Sequence, residues 1–307
     1  MSSAGSNAEP NAAEELGVSA EQVVETFEAA KEELQLDDKR QGQTVTLPAT
    51  GTLVVAGDLH DNRTNWRKLK HVAALDQGPD RHLVLQELIH GDHFDNEGRE
   101  DSWTMLYQAA ELLLDFPEQV HFLLANHDLA QIHGEGISKG GLSVCEAFTD
   151  AIKRDFGSSY ATVEMAITEF LLALPLAVRA PSAGLYFCHS LPAEEFIDNF
   201  DFDVLARDQL GGNDYRRRVG PVYQLIWGRN IGPQKAGEFA DALQANVIVT
   251  GHQPQESGYL RNGDRHLIIA SDHARGVFLK LPLENKLDMD AVERGIHRFL
   301  EVDDSGD

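Results

Sequence analysis

Five short apolar runs in this sequence lead into aspartate, histidine or asparagine. Thr52–Ala56 leads into Asp58 and His60 in GDLHDN, Leu83–Ile89 into Asp92 and Asp95 in HGDHFDNEG, and Val120–Leu124 into Asn126, His127 and Asp128. His189 follows LYFC, and His252, in GHQPQ, follows Val247–Val249. Singly, such residues are ordinary helix caps, turn residues or satisfied histidines. Five consecutive cases, with Gly57, Gly91 and Gly251 placed to allow tight turns, point to one shared site. Carboxylate oxygens, imidazole nitrogens and an amide oxygen form a ligand set for Mn, Fe or Zn, and no thiolate belongs to it. Two such ions about 3.5–4 Å apart can share a bridging carboxylate and clamp a phosphoryl group during in-line attack by water. The expectation is a two-metal phosphoesterase.

For these ends to meet, the runs must be strands whose carboxyl ends share one edge, which is where α/β sheets bind ligands. Helix-like segments at 65–75, 102–114, 160–172 and 237–243 alternate with the runs, so the pattern predicts an α/β layered fold with helices covering sheet faces. Residues 1–17 are small, polar and acidic and are expected to be disordered. Residues 18–43 are read as a helix and linker: Ser19 to Gln22 has the capping-box form, and Val23, Val24, Phe27, Ala30 and Leu34 recur at helical spacing. The catalytic domain is placed at 44–300 and an acidic tail at 301–307. Residues 198–230, with Gly211-Gly212 and Arg216 to Arg218, show little periodicity and are expected to run over the surface. The stretch GEGISKGG lacks the ending of a phosphate-binding P-loop and is read as a rim loop.

The formal charge of −24 argues against nucleic acid or an anionic membrane as a bulk partner. Cys145 and Cys188 are too few for a disulfide framework and are expected to be reduced and buried. With no apolar leader and no run of about 18 apolar residues, a cytoplasmic location is expected. Oligomeric state is not legible.

GDLH, GDHFDNEG, ANHD, His189 and GHQP, in this order and spacing, resemble the calcineurin-like metallophosphoesterases. LPLAV, LIWGR and HQPQESGY are similar to the phosphoprotein phosphatase (PPP) branch. The resemblance implies a two-sheet β-sandwich flanked by α-helices, four layers in the order αββα. It implies that Asp58 and His60 bind a first divalent ion, that Asn126, His189 and His252 bind a second, and that Asp92 bridges them. Mn, Fe, Zn or Co would serve, with Mn the first choice in vitro. His127, paired with Asp95, is the implied proton donor to the departing oxygen, after a metal-bridging hydroxide attacks phosphorus.

The chain departs from the PPP pattern at Asn96, where an arginine is usual, at Asp61 and Ala125, where glycine is usual, and at Ser190-Leu191 in place of two glycines. A phosphoryl group still needs cationic help. Arg229 is the first candidate, then Arg207 and Arg63, with His273 as a further contact, while His90 and His93 are expected to point away from the ligands. The expected substrate is a phosphomonoester, either a phosphoserine or phosphothreonine peptide or a small phosphorylated metabolite. Cleavage of a nucleotide pyrophosphate such as a dinucleoside polyphosphate is the alternative, with Trp66, Trp103, Tyr223 and Trp227 as stacking platforms. A metal-retaining binding protein without turnover is the non-enzymatic one.

Overall fold

A computed structural model describes residues 10–91, 100–134, 137–139 and 142–303. The strands, in chain order, are β1 (Arg40–Gln41), β2 (Thr44–Thr46), β3 (Thr52–Asp58), β4 (Arg81–Gln86), β5 (Val120–Leu123), β6 (Ser138–Lys139) and β7 (Leu142–Ser143). They continue as β8 (Ala177–Ala180), β9 (Leu185–Cys188), β10 (Val247–Thr250), β11 (Tyr259–Asn262), β12 (His266–Ile269), β13 (Val277–Pro282) and β14 (Ile296–Arg298). The helices are α1 (Ala12–Leu16), α2 (Ala20–Leu36), α3 (Arg63–Ala73), α4 (Trp103–Asp115), α5 (Asn126–His133), α6 (Val144–Phe156), α7 (Tyr160–Ala173), α8 (Pro221–Trp227), α9 (Pro233–Ala242) and α10 (Met289–Arg294).

Two sheets pack face to face, one of seven strands in the order β1-β2-β8-β9-β10-β12-β11 and one of five in the order β14-β13-β3-β4-β5; β6 and β7 form a separate hairpin. This is the two-sheet sandwich implied by the sequence. The side-chain period of two explains it: along β3, Leu53 and Val55 enter the inter-sheet core with Phe187, Val249 and Ile269, while Val54 and Ala56 face the outer helices. With both faces buried, the strands read as continuous apolar runs.

β3, β4 and β5 run parallel in one sheet, and β9, β10 and β12 run parallel in the other. A parallel bridge between Asp58 and Ala270 ties the sheets together at their carboxyl edge, reinforced by the Gly57 N–H donating to Ser271 Oγ at 2.8 Å. That edge is where the polar strand ends collect.

Helix α2 begins with the expected reciprocal cap: Gln22 N–H donates to Ser19 Oγ (3.3 Å) and Ser19 N–H to Gln22 Oε1 (2.9 Å). Its Phe27 is fully buried, with ring centroids 6.2 Å from Tyr107 of α4 and 5.4 Å from Phe170 of α7. Burying such a side chain contributes about 1.5–3 kcal/mol. Within the segment read as disordered, residues 1–9 lie outside the described residues, but Ala12–Leu16 form a helix capped by Asn11 and Glu14. Ala12 and Ala13 are its only buried residues, too small an apolar signal to reveal the helix in the sequence. Of the acidic tail, Glu301 closes a 3-10 turn and residues 304–307 lie outside the described set. Residues 198–230 contain α8 and two 3-10 turns rather than bare loop. Both cysteines are free and buried, and no helix among the described residues is long and apolar enough to cross a membrane.

Candidate metal centre

The strand ends turn with non-glycine residues in left-handed backbone. His60 and Asp61 after β3 have φ of 42° and 54°, Glu87 and His90 after β4 have 45° and 61°, and His252 after β10 has 66°. Such conformations cost of order 1–3 kcal/mol each and concentrate at functional sites. Gly57, Gly91 and Gly251 are not among the positive-φ glycines, so the tight-turn role expected of them is carried by their neighbours. What they allow is close approach. A Cβ on Gly251 would lie 2.2 Å from Asp58 Oδ1 and 3.0 Å from Gln86 Oε1, and one on Gly57 would lie 2.3 Å from the Ile269 carbonyl oxygen.

The principal difference from the sequence reading is at β4. The apolar run 83–89 suggests a strand to Ile89, but the strand ends at Gln86 and Glu87 is the residue delivered to the edge. Residues 59–61 then pair with this loop: the N–H groups of Leu59 and His60 donate to the Glu87 carbonyl and that of Asp61 to the Leu88 carbonyl. Asp92, His93, Asp95 and Asn96 lie outside the described residues.

Glu87 Oε2 stands 3.5 Å from His60 Nε2 and 3.6 Å from His189 Nε2, while Glu87 Oε1 accepts the His127 N–H at 3.0 Å. His60 Nδ1 donates to the Ile89 carbonyl (2.9 Å), which leaves Nε2 as the lone-pair nitrogen facing the carboxylate. His189 is oriented in the same way by Gln86. Gln86 Nε2 donates to the Ala56 carbonyl (3.0 Å), so its Oε1 accepts from His189 Nδ1 (2.9 Å). His189 Nε2 therefore presents a lone pair, 2.8 Å from another acceptor, Asn126 Oδ1. Acceptors converging at such distances are arranged to share a cation. Asp58 accepts the His252 N–H on both oxygens (3.0 and 2.8 Å), and His252 Nδ1 lies 2.7 Å from Asn126 Oδ1. Two groups, His60-Glu87-His127 and Asp58-Glu87-His189, each offer ligand atoms within 4.8 Å of one another, with Glu87 common to both.

The electrostatics agree with this donor set. Burial pushes the Asp58 carboxyl up to about 7 and raises Glu87 well above the usual carboxylate range, where the neighbouring Asp58 and Asp128 charges raise it further. Burial also holds His189 neutral, far below the usual imidazole value, and pushes His252 down to about 3 with help from Arg229. Neutral imidazoles beside buried carboxylates are what a divalent cation requires.

The remaining sequence candidates divide clearly. Arg229, exposed at the mouth, donates from Nε to His252 Nε2 at 3.0 Å. Ser190 positions it: Ser190 Oγ accepts the Gly228 N–H (3.0 Å) and donates to the Leu225 carbonyl (2.9 Å). Arg207 is anchored by Asp201 and Asp214, each at 2.5 Å, beside the β1–β2 edge, where Gln43 Nε2 donates to its carbonyl. Arg63, at the start of α3, is held by Asp101 at 2.5 Å and Asp61 at 3.4 Å. His273 is a loop staple, with Nε2 on the Gln255 carbonyl (2.9 Å) and Nδ1 accepting the Arg275 N–H (3.1 Å). Asp128 accepts the Ala125 N–H at 2.9 Å and so caps α5. His90, expected to point away, is fully buried and directed at His127, with Nδ1 atoms 3.1 Å apart. Trp66 and Trp103 are core residues; Tyr223 and Trp227 stack at 5.5 Å, and the Trp227 centroid lies 6.2 Å from that of His252.

Glu87, which motif reading did not single out, and His90, which it turned away from the ligands, both lie at this edge. A glutamine-glutamate pair inside an otherwise apolar strand run was the available signal, because a charge is rarely buried there without a task.

Similar folds occur in two solved phosphatases. One is a protein serine/threonine phosphatase from Saccharomyces cerevisiae with similarity to human phosphatase PP5; the match has a TM-score of 0.66 at 13% identity, covering 93% of this chain and 91% of that one. The other is a cold-active protein-tyrosine phosphatase of a psychrophilic Shewanella species, with a TM-score of 0.56 at 16% identity, covering 82% and 80%. Comparison with curated protein sequences found no match. The sequence model of the calcineurin-like phosphoesterases matches residues 51–272, a span that holds all the converging strand ends. By that match the chain belongs to the calcineurin-like phosphoesterase family, metal-dependent hydrolases of phosphate esters.

Proposed function

We propose that this chain hydrolyses phosphate monoesters at a dinuclear metal centre to which Glu87, common to both donor groups, would contribute its carboxylate. Asp58 and His60 would hold one ion, and Asn126, His189 and His252 the other. The observation that carries the reading is the position of Glu87 Oε2, 3.5 Å from one ligand nitrogen and 3.6 Å from the other. It takes the role that motif reading gives to Asp92. Divalent ions bound there supply charge neutralisation at the phosphoryl oxygens and an activated water for in-line attack.

The chain's own residues do the rest. Gln86 and the Ile89 carbonyl keep His189 and His60 turned with Nε2 inward. Arg229 Nε–H now donates to His252 Nε2, which places the His252 hydrogen on Nδ1. For Nδ1 to serve as a ligand atom, that hydrogen would have to move to Nε2, and the guanidinium, losing its acceptor there, would be free to turn toward the phosphoryl oxygens. His127 gives a proton to the departing oxygen. The half-buried Tyr223–Trp227 stack beside His252 favours a second reading, in which the ester carries an aromatic group, as nucleotide pyrophosphates do.

The test is metal analysis of the purified protein, followed by phosphomonoesters, diesters, phosphopeptides and nucleotide pyrophosphates with Mn supplied. We expect monoester turnover, reduced about 100-fold or more in His127→Asn. Two bound ions with uniform silence across the panel would overturn the hydrolase assignment and leave a metal-retaining binding protein.

A further inference from the structure

We infer that His90 positions His127, by accepting its Nδ1 hydrogen, so that Nε2 is the nitrogen that takes up a proton and then passes it to the departing oxygen. The inference rests on the hydrolase reading for its consequence, but the hydrogen-bond assignment stands on geometry alone. Sequence reading gives the pairing with His127 to Asp95.

The assignment begins at Glu164 on α7, far from the ligands. As a carboxylate it only accepts, so Thr149 on α6 donates its hydroxyl hydrogen to Glu164 Oε1 at 2.7 Å. The Thr149 oxygen then accepts from Gln131 Nε2 at 3.3 Å, which turns Gln131 Oε1 toward His90. His90 Nε2 lies 2.8 Å from that Oε1 and must carry the hydrogen. In neutral His90, Nδ1 is left as the acceptor, and it faces His127 Nδ1 at 3.1 Å. The hydrogen between them belongs to His127. Each orientation thus follows from the preceding acceptor, as network-based assignment of tautomers requires.

The supporting structure is rigid. Gln131 sits four residues after His127 on α5, on the same helix face. His90 is held by its N–H to Ser102 Oγ at 3.0 Å and by its ring edge-on to Phe148 at 5.6 Å. Its left-handed φ of 61° directs the side chain away from the strand direction of β4 and toward α5.

The variants are His90→Phe, which keeps a ring and removes the acceptor; His90→Asp, which restores one; and Gln131→Leu, which acts one link further out. Imidazole nitrogen NMR of the metal-free protein reports which nitrogen of His127 carries hydrogen. Wild type and His90→Asp should show Nδ1 protonated; His90→Phe should show a mixture of tautomers, and Gln131→Leu a smaller change in the same direction. In the metal-loaded enzyme, the kcat of His90→Phe should fall about 100-fold on phenyl phosphate, whose leaving oxygen needs a proton, and less than about tenfold on para-nitrophenyl phosphate. KM and metal content should hold, and His90→Asp should recover most of the loss. An unchanged His127 tautomer in both His90→Phe and Gln131→Leu, or equal losses on the two esters, would overturn the inference. A wild type silent on both esters would defeat the hydrolase reading alone, because the NMR result still judges His90.

Discussion

Replacing Glu87 by glutamine keeps the shape of the side chain and removes its charge, and Asp92→Asn does the same where motif reading places the bridge. Glu87 Oε2 lies 3.5 and 3.6 Å from the His60 and His189 Nε2 atoms that would share its ions. One unit charge at about 4 Å, with an effective dielectric of about 20, is worth about 4 kcal/mol, or roughly a thousandfold in metal affinity. Losing that affinity removes about 4 kcal/mol of metal-dependent stabilisation, roughly 10 °C in melting temperature at fixed metal concentration. The metal-free protein should respond in the opposite direction. Glu87 has a folded-state pKa raised by burial and by the nearby Asp58 and Asp128, so the stability linked to it is present at acid pH and lost as pH rises through that value. Glu87→Gln should therefore be more stable than wild type at alkaline pH without metal, and gain less from added Mn. Calorimetric titration and thermal melts with and without Mn measure both effects. If Glu87→Gln binds two ions as wild type does while Asp92→Asn loses them, the assignment of Glu87 is wrong and the motif reading is right.

Gln86→Leu frees the His189 ring without touching a ligand, and metal affinity should fall about 10–100-fold with the fold intact by circular dichroism. Gly251→Ala places a methyl group 2.2 Å from Asp58 Oδ1, so turnover should drop about 100-fold or more while thermal stability changes less than in a core substitution; wild-type kcat would refute the close-approach argument. His121, stacked on His82 in the core, is pushed down from the ordinary 6.5 to about 3 by burial and by neighbouring His82 and Lys39. Its folded-state value is depressed, so its contribution to stability is complete above pH 6.5 and declines as pH falls toward 3. The loss reaches about 3 kcal/mol by about pH 4. His121→Gln does not titrate, and denaturant melts across this range should show wild type losing that much more than the variant.

Much of the site was legible because strand ends have a local signature. A short apolar run that stops at Asp58, Asn126, His189 or His252 can be read from neighbours alone, and the alternation of runs with helical segments announces the layered fold. At the second motif the same local signature sets the strand end too late. GDHFDNEG reproduces the expected pattern, whereas Leu88 and Ile89 are buried like strand residues and extend the apparent run past Glu87. What ends β4 is its pairing: Gln86 sits opposite Leu123, the last residue of β5, and Glu87 then turns into left-handed backbone.

Residue identity and short-range order thus determined the chemistry available, a set of oxygen and nitrogen ligands at the carboxyl edge of parallel strands. Only the tertiary structure decided where β4 ends, that Glu87 reaches both His60 and His189, and that His90 faces His127. Those choices depend on where a strand stops and on contacts between residues 37 and 63 positions apart, such as His90 with His127 and His189 with Asn126. Local sequence carries a propensity to turn, but the register between strands sets where the turn falls.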